Sequence, residues 1–128
     1  MKIIIAGAGE VGVHLAKLLS NESLDIILVD LDKKRLKYAE SHTDVLIFRG
    51  DATSVAILEE AGIKNADLLI AATDSETTNI TACVLAKQLG AKRTIARISN
   101  TEFIDKKDEV GFTKFGIDEL ISPESLAA

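Results

Sequence analysis

Short apolar runs recur along the chain at residues 2–6, 25–29, 45–48, 68–71, 94–98 and 119–121. They are rich in Ile, Val and Leu, and most are continuous rather than alternating. That is the pattern of strands covered on both faces in a parallel sheet. The segments between them carry helical spacing. Val11, Leu15 and Leu18 make one apolar stripe, and Ala82, Leu85, Ala86 and Leu89 make another. Helices are also predicted over 32–41, 55–61 and 102–110. Gly62 and Gly90 stand where helix C-caps belong, and Asp74 or Ser75 is placed to cap the helix that carries Asn79. Five strand–helix repeats ending on a sixth strand predict a single α/β domain. It is a Rossmann-type, doubly wound parallel sheet of six strands in the order 3-2-1-4-5-6.

Composition agrees with that picture and narrows the function classes. The chain has 128 residues, 47% hydrophobic and 27% charged, which suits one folded domain and excludes intrinsic disorder. Fifteen Lys and Arg against 20 Asp and Glu give a net charge of −5, which argues against a general grip on nucleic acid or an anionic membrane surface. One cysteine leaves no intrachain disulfide framework and no cysteine-rich zinc module. The first apolar run is too short for a signal peptide, and no stretch approaches the ~18 apolar residues of a membrane span. A soluble, cytoplasmic domain without direct membrane insertion is expected. At the C-terminus Ser122-Pro123-Glu124 is a helix-start signal, yet the chain ends at Ala128. So short a helix is marginal alone, and the expected domain is 1–122, followed at 123–128 by the beginning of a cut helix.

The sharpest motif is Gly7-Ala8-Gly9-Glu10-Val11-Gly12, of the form G-x-G-x-x-G. The first glycine permits a tight turn out of a strand, the second lets a pyrophosphate approach the backbone, and the third lets the helix pack closely. Amides at the helix start, with the helix dipole, then face the phosphates. Glycine turns between strand and helix also have purely structural uses. Here the motif follows a strand, opens an amphipathic helix, and is answered by Asp30 at the end of the second strand, 18 residues past Gly12. That spacing is close to the ~20 expected of the acid that binds a ribose hydroxyl. A carboxylate there repels the extra phosphate of NADP, which favours NAD or an adenosine nucleotide.

The other strand ends collect small, polar and charged groups where an open α/β sheet binds its ligand. They are Gly50-Asp51-Ala52-Thr53, Thr73-Asp74-Ser75 and Arg97. Asp51 either reaches an adenine amino group or caps a helix. Arg97 either neutralises phosphate or pairs with Asp74 or Asp51. Other residues point to no chemistry. His14 and His42 have no partners at metal-ligand spacing. Cys83 lies in an apolar helix and reads as a small core residue. Lys33-Lys34-Arg35 reads as the solvated face of the second helix. The helix at 79–89 is apolar around more than one stripe, which predicts a second buried surface such as a subunit contact.

Together the glycine loop with its strand, Val29-Asp30-Leu31-Asp32, Gly50-Asp51-Ala52-Thr53, Ala71-Ala72-Thr73-Asp74 with Asn79, Ile95-Ala96-Arg97-Ile98 and Ile121-Ser122-Pro123-Glu124 resemble a known family along essentially the whole chain. The chain is similar to the KTN or RCK domains, the N-terminal domains of TrkA-type regulatory subunits of potassium uptake systems. The resemblance implies a cytoplasmic nucleotide sensor rather than an enzyme. Such domains bind NAD(H), ATP or ADP, pair as homodimers and assemble into a ring beneath a membrane potassium channel or transporter, whose gating follows the nucleotide. By position it implies that Gly7, Ala8, Gly9, Glu10 and Val11 hold the phosphates, with Gly12 closing the motif, and that Asp30 holds the ribose. Asp51 and Ala52 would lie by the adenine, and Thr73, Asp74 and Arg97 at the far side. Glu10 stands where ATP-preferring members tend to carry arginine, which tilts the ligand toward NAD(H). The cut helix then corresponds to a crossover helix leading to a further domain. Two alternatives from other classes are the cofactor domain of an NAD-dependent dehydrogenase and an S-adenosylmethionine methyltransferase.

Overall fold

Every apolar run forms a strand, and side-chain alternation along the strands divides the core into two layers. A computed structural model describes residues 1–20 and 23–122, so the Pro123-Glu124 helix start and the segment 123–128 lie outside the described residues. In β1 (Lys2–Ala6), Ile3 and Ile5 point to one face while Ile4 and Ala6 point to the other. In β2 (Asp25–Asp30), Ile26 and Leu28 share a layer with Ile3 and Ile5, and Ile27 and Val29 share the opposite one. The first layer is covered by α1 (Glu10–Leu19) and α2 (Lys33–His42) through Val13, Leu15, Ala16, Leu36 and Ala39. The second is covered by α3 (Val55–Ala61) and α4 (Glu76–Leu89) through Leu58, Ala61, Ala82, Cys83 and Ala86. Ile4, Ile5, Leu28 and Val29 have no exposed surface at all. Each such side chain stabilises the fold by about 1.5–3 kcal/mol relative to exposure.

The remaining strands are β3 (Leu46–Arg49), β4 (Leu68–Ala71), β5 (Arg93–Arg97) and β6 (Glu119–Ile121). All pairings are parallel and the order is 3-2-1-4-5-6. β1 is therefore flanked by β2 and β4, and the direction of winding reverses there. Where β1 ends, the Gly7 amide donates to the Val29 carbonyl of β2, and the Ala6 carbonyl accepts from Ala72 just past β4, each at 2.8 Å. Beyond this point the chain ends of β2 and β4 part, leaving a crevice at the switch point of the kind that holds ligands in open α/β sheets.

Caps close most helices as their sequences dictate. Asp32, Ser54, Ser75 and Asn100 each accept a first-turn amide, and Gly62 and Gly90 end α3 and α4 with positive φ. Ser75, not Asp74, caps α4. Two details differ from expectation. The buried stripe of α1 is Gly12, Val13, Leu15 and Ala16, with Leu18 exposed, because Gly12 must face the loop it packs against. In place of one helix over 102–110 there are two short ones, α5 (Thr101–Asp105) and α6 (Lys107–Val110). A 3-10 turn over Phe112–Phe115 follows. Between Ile104 and Val110 this stretch is wholly polar, so only Phe103, Ile104 and Phe112 anchor it to the core. The broad apolar surface of α4 leaves Ile80, Val84, Leu85 and Leu89 half-buried against the second layer.

Candidate functional site

The turn from β1 into α1 is held by glycines with different physical duties. Gly7 sits at φ +110°, a conformation L side chains rarely adopt. A Cβ on Gly12 would stand 1.7 Å from the Gly7 carbonyl oxygen, so the first turn of α1 can lie on the loop only if this residue is glycine. Gly9 is different. Its φ of −78° is open to any residue, and a Cβ there would meet nothing nearer than the Arg35 guanidinium at 3.8 Å. Nothing in the fold requires glycine at position 9. Gly9 is also the N-cap of α1, and no side chain caps the amides of that first turn. The result is a polar, side-chain-free concavity at the positive end of a ten-residue helix.

Asp30 ties this loop to β2. One carboxylate oxygen accepts from the Ala8 amide and the other from the Asp32 amide, both at 2.7 Å. Two backbone donors fix the carboxylate's orientation and leave further lone pairs directed outward. The Gly50 amide donates to the Asp30 carbonyl at 2.9 Å, which aligns the loop after β3 beside it. In that loop one oxygen of Asp51 accepts from both the amide and the hydroxyl of Thr53, at 2.8 and 2.7 Å. Those hydrogen bonds, the hydroxyl's first, hold its pKa below the ordinary 3.8. Ser54, not Asp51, caps α3, which removes the capping alternative for Asp51.

Across the crevice, the buried Asn79 organises the end of β4. Its amide oxygen accepts from the Thr73 amide and hydroxyl, and its NH2 donates to the carbonyls of Thr73 and Arg97. Arg97, with 19% of its side chain exposed, donates to the Ala72 and Thr73 carbonyls and pairs with Asp74 at 3.3 Å. Of the two carboxylates open to Arg97, Asp74 is the one it pairs with. Asp74 in turn lies 3.8 Å from Arg35.

Gly7, Asp30, Asp51, Ala52, Thr73 and Asp74 line one cleft of about 380 Å³. Ala8, Gly9 and Glu10 line an adjoining hollow of about 420 Å³ between α1 and α2, with Arg35 on the boundary of both. Val11 is half-buried and Gly12 buried, so their side-chain positions face inward. Arg97 stands behind Asp74 and does not itself line the cleft. Arg35 is the residue the sequence reading missed. It is the third residue of a helix capped by Asp32 and is exposed like Lys33 and Lys34, yet its guanidinium also borders both hollows.

Of the remaining reactive side chains, His14 borders the hollow beside Glu10, while His42 and Cys83 line neither hollow. His14 and His42 are exposed, and His42 stacks on Tyr38. Burial pushes the Cys83 thiol up to about 12. Among the described residues no group of three or more His, Cys, Asp or Glu is arranged to hold a metal ion, and no helix is long and apolar enough to cross a membrane.

With this geometry in view, comparison with known proteins is specific. The family model described as the TrkA-N domain matches residues 3–123. The Trk system potassium uptake protein TrkA of Haemophilus influenzae is 41% identical over 128 residues, a match covering 98% of this chain and 28% of that protein. A homologue of the same name from Methanothermobacter thermautotrophicus is 38% identical, covering 100% of this chain and 57% of the relative. The chain thus spans about half the length of that relative and less of the first. Among solved structures, GsuK bound to ADP superposes with a TM-score of 0.76 at 28% identity, over 98% of this chain and 31% of that one.

Proposed function

The chain belongs to the TrkA-N domain family, and on that premise we propose that it is the nucleotide-sensing regulatory domain of a potassium uptake system. NAD(H) or another adenine nucleotide binds in the switch-point cleft and biases the state of a membrane potassium transporter. The observation that carries this reading is Gly9. Its ordinary φ and the open space where a Cβ would stand make it a glycine the fold does not need, placed where a phosphate must come close to backbone.

In this reading the amides of Gly9, Glu10 and Val11 receive the phosphates and are aided by the α1 dipole. Gly7, Ala8 and Gly12 give the loop its shape. Asp30, oriented by the Ala8 and Asp32 amides, accepts from ribose hydroxyls. Asp51 and Ala52 border the adenine side of the cleft, and Thr73 and Asp74 the opposite side, with Arg97 behind them. Asp30 disfavours a 2′-phosphate and Glu10 a triphosphate, which ranks NAD(H) first, with ADP and then ATP behind. The solved structure of GsuK bound to ADP supports an adenine nucleotide as the ligand.

The bound nucleotide contributes only its differential affinity for two domain arrangements, and that difference sets how far it shifts transport. The partners are a transporter subunit of the membrane and further copies of the same domain, pairing as a homodimer within a ring at the cytoplasmic face. The role is regulatory rather than enzymatic, in keeping with the transport names of its relatives. Calorimetry with NADH, NAD, ADP, ATP and S-adenosylmethionine in parallel tests it. NADH, NAD and ADP are expected to bind. Binding of S-adenosylmethionine alone, or of none of the five, defeats the reading.

A further inference from the structure

Arg35, which lines the cleft, and Arg97, which stands behind its wall, meet on one carboxylate. Arg97 is fixed from behind by the Ala72 and Thr73 carbonyls at 3.4 and 3.2 Å. Arg35 reaches in from the first turn of α2, with one guanidinium nitrogen 3.8 Å from where a Gly9 Cβ would stand. Asp74 lies between them, 3.3 Å from Arg97 and 3.8 Å from Arg35, with 77% of its side chain exposed. One cation beside an uncapped helix start and a second behind the cleft wall, both paired to one solvent-exposed acid, form an anion site that already holds an anion of the chain's own.

We propose that Arg35 is a phosphate-binding residue of this cleft, and that Asp74 is an internal anion competing with the ligand's phosphates for Arg35 and Arg97. The proposal rests on the nucleotide reading above and assigns Asp74 a role opposite to that of a ligand contact. Exposed ion pairs contribute little to stability, so a phosphate displaces the carboxylate at small cost. A phosphate also matches the planar fork of each guanidinium better than a carboxylate at 3.8 Å does. Once displaced, Asp74 remains near the phosphates and repels them, which lowers affinity in proportion to the charge the ligand carries. Selectivity follows. Ligands bearing a diphosphate feel both the two arginines and the competitor, whereas a nucleoside without phosphate feels neither.

The test is calorimetry on the full chain with ADP and adenosine, using Asp74→Asn, Asp74→Ser, Arg35→Gln and the Asp74→Asn/Arg35→Gln double variant. Asp74→Asn and Asp74→Ser are expected to tighten ADP about fivefold at low salt and to leave adenosine unchanged. Arg35→Gln is expected to weaken ADP about tenfold. In the Arg35→Gln background the gain from Asp74→Asn shrinks, since one of the two contested cations is gone. ADP affinity that is unchanged or weaker in both Asp74 variants overturns the competitor, as does an equal gain for adenosine. Undiminished ADP affinity in Arg35→Gln overturns the phosphate contact. If wild-type chain binds NADH and not ADP, the same variants are compared with NADH; if it binds neither, or Gly9→Ala binds the nucleotide equally well, the nucleotide reading fails and this one falls with it. If binding needs Gly9 but ignores Asp74 and Arg35, only this inference is lost.

Discussion

The carboxylate of Asp30 accepts from the Ala8 amide at 2.7 Å, so the end of β2 and the glycine loop form one hydrogen-bonded unit. The side chain proposed to hold the ribose thus also shapes the glycine loop. Asp30→Ala leaves the amides of Ala8 and Asp32 without their acceptor, and Ala8 is only 3% exposed. A stability loss of about 1–3 kcal/mol is expected by urea denaturation. Asp30→Asn keeps one acceptor oxygen and should lose about half as much, while ribose binding falls comparably in both. Calorimetry beside denaturation separates the two duties. Equal stability loss in the two variants would show that the charge, not the acceptor, organises the loop.

The glycines of the loop should part company on substitution. Gly12→Ala places a methyl 1.7 Å from the Gly7 oxygen, so α1 must leave the sheet, at a cost of about 3 kcal/mol or more. Gly9→Ala fills only open space and should keep the wild-type melting temperature within about a degree, while nucleotide binding is abolished. A Gly9→Ala variant with normal affinity would remove the phosphate assignment from this loop.

Strand positions were legible because continuous apolar runs have one physical cause, cover on both faces, and the layers around Ile4 and Ile5 bear this out. Edges were less so. The fourth-helix N-cap lay between Asp74 and Ser75 because either side chain caps well, and only the fold decides which one reaches the Thr78 amide. Leu18 misled because hydrophobicity cannot sense that Gly12 sets the rotation of α1. Arg35 lies in a run of exposed cations, and its place beside the cleft shows only through its approach to Asp74, 39 residues along the chain. For Arg97 the sequence offered phosphate or a pairing with Asp74 or Asp51, and a distance was needed to choose Asp74 over Asp51 as its carboxylate.

Asn79 is a scaffold residue whose loss should be felt at a distance. It is wholly buried and uses both oxygen and nitrogen to hold Thr73 and the Arg97 carbonyl. Asn79→Leu strands those groups and should cost about 2–4 kcal/mol. Hydrogen exchange should then quicken at the Thr73 amide, with α1 and α2 unaffected. Exchange that quickens uniformly would mean that the network is not local.

Cys83 should behave as part of the core. Its thiol lies on the buried side of α4, donates to the Ile95 carbonyl at 3.4 Å, and is pushed by burial up to about 12. At neutral pH almost no thiolate forms, so alkylation must await unfolding. Iodoacetamide labelling should therefore track global unfolding as denaturant is raised. Rapid labelling of the native chain would place an opening at α4 that these contacts do not predict.

Acid should loosen the end of the sheet around β5 and β6 first. Burial alone would raise the Asp118 pKa, but Lys87 at 2.9 Å and the Thr94 amide at 2.9 Å outweigh it and hold it below 3.8. A carboxylate held below its unfolded value stabilises the fold above that value, and the stabilisation is lost as pH falls through the folded one. Asp51, held low by the Thr53 hydroxyl and amide, and Asp67, held low by the Lys2 amide and Lys92, act in the same direction. The urea midpoint should thus be flat above about pH 5 and fall steeply below 3.8. Asp118→Asn retains an acceptor for Thr94 but loses the pair with Lys87, so it should cost about 1 kcal/mol at pH 7 and shrink the acid-dependent part. If the variant's midpoint falls with acid as steeply as the wild type's, the low-pH instability arises elsewhere than at the Lys87–Asp118 pair.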